Sequence, residues 1–186
     1  ALLGQLCEAL RHVHSHGIAH GDVKLENVLV SVQGEHATAH LADFESARRQ
    51  PTGAGSLSAS TVGGVAFTEL YVAPEILAAV AEGRAAKPTA AGDMFSYGVC
   101  CLFACCLPPT AEARAEDVRR FVADGRKLTD WSRAKAAEAE EHLPDLLERR
   151  LEGLLSPATT DADALAARRS ASQALLHPFH NTAAAM

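Results

Sequence analysis

The chain has 186 residues, 48% of them hydrophobic, with a formal net charge of −6. That length suits a single domain, or most of one, with a sizeable core. A mildly acidic chain with scattered Lys and Arg argues against nucleic acid as the main partner, and no apolar run approaches the ~18 residues of a membrane span.

No signal peptide is visible, and the first residue is Ala rather than Met, so the chain is expected to be a piece of a longer protein. Leu2, Leu3, Leu6, Leu10 and Val13 recur at helical spacing and Gly17 is a natural stop, which predicts a helix over 2–16. His12-x-His14-x-His16 near its end looks like a ligand set. Only His12 and His16 share a face, however, and no carboxylate or Cys stands beside them, so metal is not expected. Ile18 to His20 reads as a short extended piece. Val28-Leu29-Val30 and Ala39-His40-Leu41 flank Gly34 and predict a small hairpin. Residues 46–66 are rich in Ser, Thr, Gly and Ala without an apolar period, which predicts a long flexible loop. An apolar helix is expected from Gly92 to Leu107, closed by Pro108-Pro109. From residue 111 the pattern is helical and rich in Ala, Glu and Arg, broken at Gly125, Pro144 and Ser156-Pro157.

Four of the cysteines are Cys100, Cys101, Cys105 and Cys106 in that apolar helix. They would point in several directions, so they are expected to pack as small hydrophobes rather than to hold zinc. Free thiols in a core fit a reducing, intracellular and cytoplasmic compartment.

Three short motifs follow one another. The first is His20-Gly21-Asp22-Val23-Lys24-Leu25-Glu26-Asn27; the second is Asp43-Phe44-Glu45, directly after the second hairpin strand; the third is Ala73-Pro74-Glu75, after the long loop. Alone, Asp22 reads as a turn former and Asn27 as a loop cap. In this order they resemble the catalytic half of a protein kinase: catalytic loop, Mg-binding loop, activation segment and A-P-E. Asp93-Met94-Phe95-Ser96-Tyr97-Gly98-Val99 is similar to the family's D-x-W-S-x-G-V helix start, with Phe in place of Trp. Residues 168–179 are similar to the family's terminal R-P-S-A-x-E-L-L-x-H-P-F, and Thr68-Glu69-Leu70-Tyr71 fits the T-x-x-Y before A-P-E. The similarity is strong to residue 107 and near the C-terminus, and weak between 108 and 165.

The resemblance implies an α+β, mostly α fold: the C-terminal lobe of a protein kinase, with one small hairpin and a long activation segment. Residues 1–186 would then be a partial domain without the N-terminal lobe. The activity implied is that of a serine/threonine protein kinase, moving the γ-phosphate of Mg-ATP to a protein hydroxyl. Phosphoryl transfer needs the phosphate charge neutralised and the attacking hydroxyl aligned, with little covalent work by the protein. Asp22 would accept or orient the substrate hydroxyl proton, and Lys24 would face the transferring phosphate. Asn27 and Asp43 would supply hard oxygen ligands to Mg²⁺. Thr68 would wall the substrate pocket, and His20 would support the loop. Asp93 would hold the loop's backbone N–H groups, and Glu75 would pair with Arg168, with Arg169 a weaker candidate. Ser56, Ser58, Ser60 and Thr61 are sites for phosphorylation or simply solvated loop residues.

Three departures from the family pattern stand out. Gly21 replaces the Arg that in the family pairs with an activating phosphate, so that switch lacks an obvious receiver. Glu45 replaces the Gly of D-F-G, whose backbone freedom and lack of bulk suit a place beside the metal. The Gly-rich loop, the ATP-binding Lys and its Glu partner are absent, so these 186 residues alone are expected to transfer no phosphate. The alternative implied by Glu45 is a pseudokinase acting as a binding or scaffold module.

Overall fold

A computed structural model describes residues 1–50, 70–105, 154–155 and 168–176. The expected helices after residue 111, Thr68, the Ser56–Thr61 cluster and most of the expected long loop lie outside the described residues.

Helix α1 spans Leu2–Ser15 and buries Leu6, Cys7 and Leu10. It stops where Gly17 takes a φ of 67°, a left-handed turn in which Gly17 N–H donates to His14 O at 2.9 Å. Strand β1, Ile18–Ala19, follows. A 3-10 turn at Leu25–Asn27 then leads directly into strand β2, Val28–Gln33, which pairs with strand β3, His36–Leu41, in antiparallel register from Val28↔Leu41 to Gln33↔His36. Both strands run longer than the apolar triplets foretell, because Ser31–Gln33 and His36–Thr38 continue the same ladder toward Gly34. Gln5 ties α1 to this hairpin: its Nε2 donates to Ala37 O at 3.2 Å, and its Oε1 accepts from Ala39 N–H at 2.6 Å.

The loop expected over 46–66 begins differently. Arg48–Arg49 form strand β4, paired antiparallel with β1 through Ile18↔Arg49 and Ala19↔Arg48. A further bond from Gln50 N–H to Gly17 O at 2.7 Å closes this ribbon. Two residues carry no readable alternation, so the strand is invisible to pattern alone.

Helix α2, Pro74–Ala81, was not foreseen as a separate element; Pro74 stands in its first turn, where its fixed φ and missing N–H are harmless. Helix α3, Ala90–Cys105, starts two residues before the expected Gly92. Met94, Phe95, Tyr97, Val99, Cys100, Cys101, Leu102 and Phe103 are all buried, so apolar residues surround this helix and it forms the axis of the core. At Gly98 a Cβ would come within 2.9 Å of Leu154 Cβ, so only Gly permits that approach. Helix α4, Ala171–Leu175, opens on a capping box in which Gln173 N–H donates to Ser170 Oγ and Ser170 N–H donates to Gln173 Oε1. Among the described residues, no helix is long and apolar enough to cross a membrane.

Candidate active site

The loop after β1 carries Asp22 and Lys24, the 3-10 turn that follows ends on Asn27, and the Lys24 and Asn27 side chains converge on the Asp22 carboxylate. Lys24 Nζ donates to Asp22 Oδ2 at 2.6 Å. Asn27 Nδ2 donates to the same oxygen at 3.1 Å and to Asp22 O at 2.8 Å. Asn27 is buried, and its side-chain amide N–H groups are committed to Asp22.

Asp43 follows β3 by two residues and belongs to the same neighbourhood. The residue before it, Ala42, donates its N–H to Asn27 O at 2.9 Å. His20 is fully buried and links the two loops from the other side. Its Nε2 donates to Ala42 O at 3.0 Å, so its Nδ1 is the acceptor for Asp22 N–H at 3.3 Å. Its ring also meets Phe44 edge-on, centroids 4.7 Å apart. Asp43 is exposed and sits at φ 63°, a left-handed conformation that Asp tolerates better than most residues. The backbone bond from Ala42 to Asn27 brings the loop of Asp43 beside that of Asn27, and both residues carry hard oxygen donors. That donor chemistry fits Mg²⁺.

The positive φ falls on Asp43, and Glu45 is not among the residues with one. Position 45 therefore does not draw on the conformational freedom for which a Gly is expected there. Glu45 is exposed, with its N–H directed to Asp43 Oδ1 at 3.4 Å.

Gly21, by contrast, is held by its surroundings. It adopts φ 84°, and a Cβ on it would stand 2.8 Å from Ser46 O and 2.7 Å from Pro88 Cγ. Sequence spacing registers the lost Arg but gives no sign of Ser46 and Pro88, which close around this position from two distant segments.

Beneath the loop lies Asp93, in the first turn of α3. Its Oδ2 accepts from His20 N–H at 2.7 Å and its Oδ1 from Gly21 N–H at 2.8 Å. The same Oδ2 meets His14 Nε2 at 2.8 Å. The carboxylate that His14 meets is brought by the fold from 79 residues away. His12 and His16 instead meet with tilted rings, centroids 4.4 Å apart, on the exposed side at the end of α1.

A second ion pair holds the A-P-E segment. Arg168 Nη1 and Nη2 donate to Glu75 Oε1 and Oε2 at 2.7 and 3.1 Å, a two-pronged contact. Arg168 Nη1 also donates to Ala91 O at 2.9 Å, and the guanidinium lies 5.2 Å from the centre of the Phe95 ring. The side chains are 0% and 13% exposed, so the pair is desolvated. Arg169 is partly exposed and makes no such pair among the described residues.

The protein kinase domain family model matches residues 1–180, and the chain belongs to that family. It is 31% identical over 180 residues, 96% of its length, to the human serine/threonine-protein kinase/endoribonuclease IRE2, of which it spans 18%. It is 39% identical over 98 residues, 53% of its length, to serine/threonine-protein kinase pkn2 of Myxococcus xanthus, spanning 11% of that protein. Against serine/threonine-protein kinase mos of Patiria pectinifera the identity is 38% over 94 residues, half of this chain and 24% of the relative. The chain therefore spans under a quarter of each of these relatives.

Proposed function

We propose that the whole protein is a serine/threonine protein kinase, and that residues 1–186 supply the C-terminal lobe of its catalytic domain. The observation that carries this reading is the junction of Lys24 and Asn27 on the Asp22 carboxylate, with the Asp43 loop tied to it through Ala42 and His20. Asp22 orients the substrate hydroxyl and takes its proton. Lys24, next to that carboxylate, places a positive charge where the transferring phosphate approaches. Asn27 and Asp43 would hold Mg²⁺, which when bound with ATP neutralises phosphate charge. The protein substrate, ATP and Mg²⁺ are the partners this site chemistry fits. The buried thiols of Cys7, Cys100 and Cys101 fit an intracellular, cytoplasmic setting.

A pseudokinase acting as a binding or scaffold module is the second reading, and Glu45 favours it by adding negative charge beside Asp43. Against it, Glu45 is exposed and needs no left-handed backbone, so it leaves the site's geometry intact. Radiolabelled phosphate transfer by the whole protein separates the two. Asp22→Asn is expected to lower kcat by about 10²-fold or more while ATP affinity changes little. Unchanged turnover would remove Asp22 from the chemistry, and a wild-type protein without transfer would leave the scaffold reading.

A further inference from the structure

Two distant segments close on Gly21, and one polar side chain ties them together. A Cβ on Gly21 would stand 2.7 Å from Pro88 Cγ and 2.8 Å from Ser46 O, so the Pro88 ring and the Ser46 carbonyl occupy the space into which a side chain would extend. Ser46 belongs to the stretch that follows Asp43, and Pro88 to the approach to α3. Pro88 is buried, and α3 makes no use of its carbonyl. The helix begins instead with Asp93 N–H donating to Thr89 O at 3.0 Å, while Gly92 N–H donates to Thr89 Oγ1 at 2.9 Å. A buried carbonyl needs a donor, and Gln50 supplies it, its Nε2 donating to Pro88 O at 3.0 Å. The backbone N–H of Gln50 donates at the same time to Gly17 O at 2.7 Å. Among the described residues, no other side-chain hydrogen bond joins the stretch 43–50 to the approach to α3.

The consequence falls on Asp43. The bonds of Ala42 to His20 and Asn27 fix the chain before it. The chain after it is held by the ribbon of β1 and β4, whose two residue pairs are too few to be stable alone. Gln50 adds an anchor at the end of that ribbon, on a different part of the fold. We propose that Gln50 is a positioning residue for Asp43, fastening the stretch after it to the Pro88 carbonyl so that the Asp43 loop stays seated on the catalytic loop without a phosphate on the chain beyond. The proposal rests on the reading of Asp22 and Asp43 as parts of a phosphoryl-transfer site.

The test uses the whole protein with Gln50→Glu, Gln50→Ala and Gln50→Lys. Glu keeps the shape, but an ionised carboxylate cannot donate; Lys keeps a donor of similar reach. Amide hydrogen exchange at Ala42, whose N–H reports the contact with Asn27, is expected to quicken in the Glu and Ala variants and to stay slow in the Lys variant. In the Glu and Ala variants kcat should fall about tenfold or more, the scale of a slightly misplaced reacting group. The Mg²⁺ concentration for half-maximal rate should rise about tenfold, as when an outer support of a metal ligand is lost, with the peptide KM within about twofold of wild type. Gln50→Lys should recover most of both. Phosphatase treatment should leave the wild-type kcat within about twofold. Unchanged Ala42 exchange in both the Glu and Ala variants, a Lys variant as impaired as the Ala variant, or loss of the wild-type rate on phosphatase treatment would overturn the proposal. A wild-type protein that transfers no phosphate before any treatment would overturn the proposed function instead, and exchange at Ala42 would still judge the role of Gln50.

Discussion

Gly21 shows how a single side-chain deletion carries two meanings. Beside the resemblance to the kinase family, the missing Arg reads as a lost receiver for an activating phosphate. In the structure the position has φ 84° and a Cβ would meet the Ser46 carbonyl oxygen at 2.8 Å. The left-handed backbone alone disfavours any other residue by about 1–2 kcal/mol, and the contact with Ser46 adds to that. Gly21→Ala is therefore expected to lower the urea midpoint of unfolding by at least the equivalent of that amount. An unchanged midpoint would show that the Ser46 and Pro88 segments yield freely. Restoring Arg here should be as disruptive as Ala, so regulation through this position cannot be regained by one substitution.

Among the elements, α2 is joined to the segment leading into α4 by the pair of Glu75 with Arg168, across 93 residues. Glu75→Ala would leave a guanidinium in a site where its side chain is 0% exposed, and is expected to cost about 3–5 kcal/mol. Replacing both partners, as Glu75→Leu with Arg168→Met, should cost clearly less, since no buried charge is then stranded. Denaturant unfolding of the single and double variants checks this, and equal losses would contradict it. How much of this was readable beforehand differs by element. Helix α1, the hairpin and α3 were visible because their apolar periods run over many residues or end on Gly. Strand β4 was hidden because two arginines have no period, and α2 because Ala-rich sequence after the A-P-E motif blurs any face. The loop residues Asp22, Lys24 and Asn27 could be named because their motif resembles the catalytic loop of the kinase family within six positions of chain. His14 could not, because its partner Asp93 arrives only through the packing of α1 on α3.

Across the molecule, the core around α3 makes the fold sensitive to alkali. Burial pushes the Tyr71 phenol above its ordinary value, with Cys100 and Glu26 adding to the shift. Burial likewise raises the Cys100 thiol. In the unfolded chain a phenol ionises near pH ~10, whereas the folded chain holds the proton to higher pH. The unfolded state then binds fewer protons, so stability falls as pH rises from about 10 upward. Tyr71→Phe should flatten that decline in Tm measured between neutral pH and pH ~11, and parallel declines in both proteins would refute the assignment. The short ribbon of β1 and β4 has a consequence of another kind. Because Ile18 lies opposite Arg49, the chain leaves the helical body and returns to it through one doorway. Everything between, the reactive loop and the hairpin alike, is a cassette whose two ends touch. Such a cassette can be exchanged or lengthened at the hairpin tip without rerouting the rest of the chain, provided that Asp93 still waits in α3 to receive it.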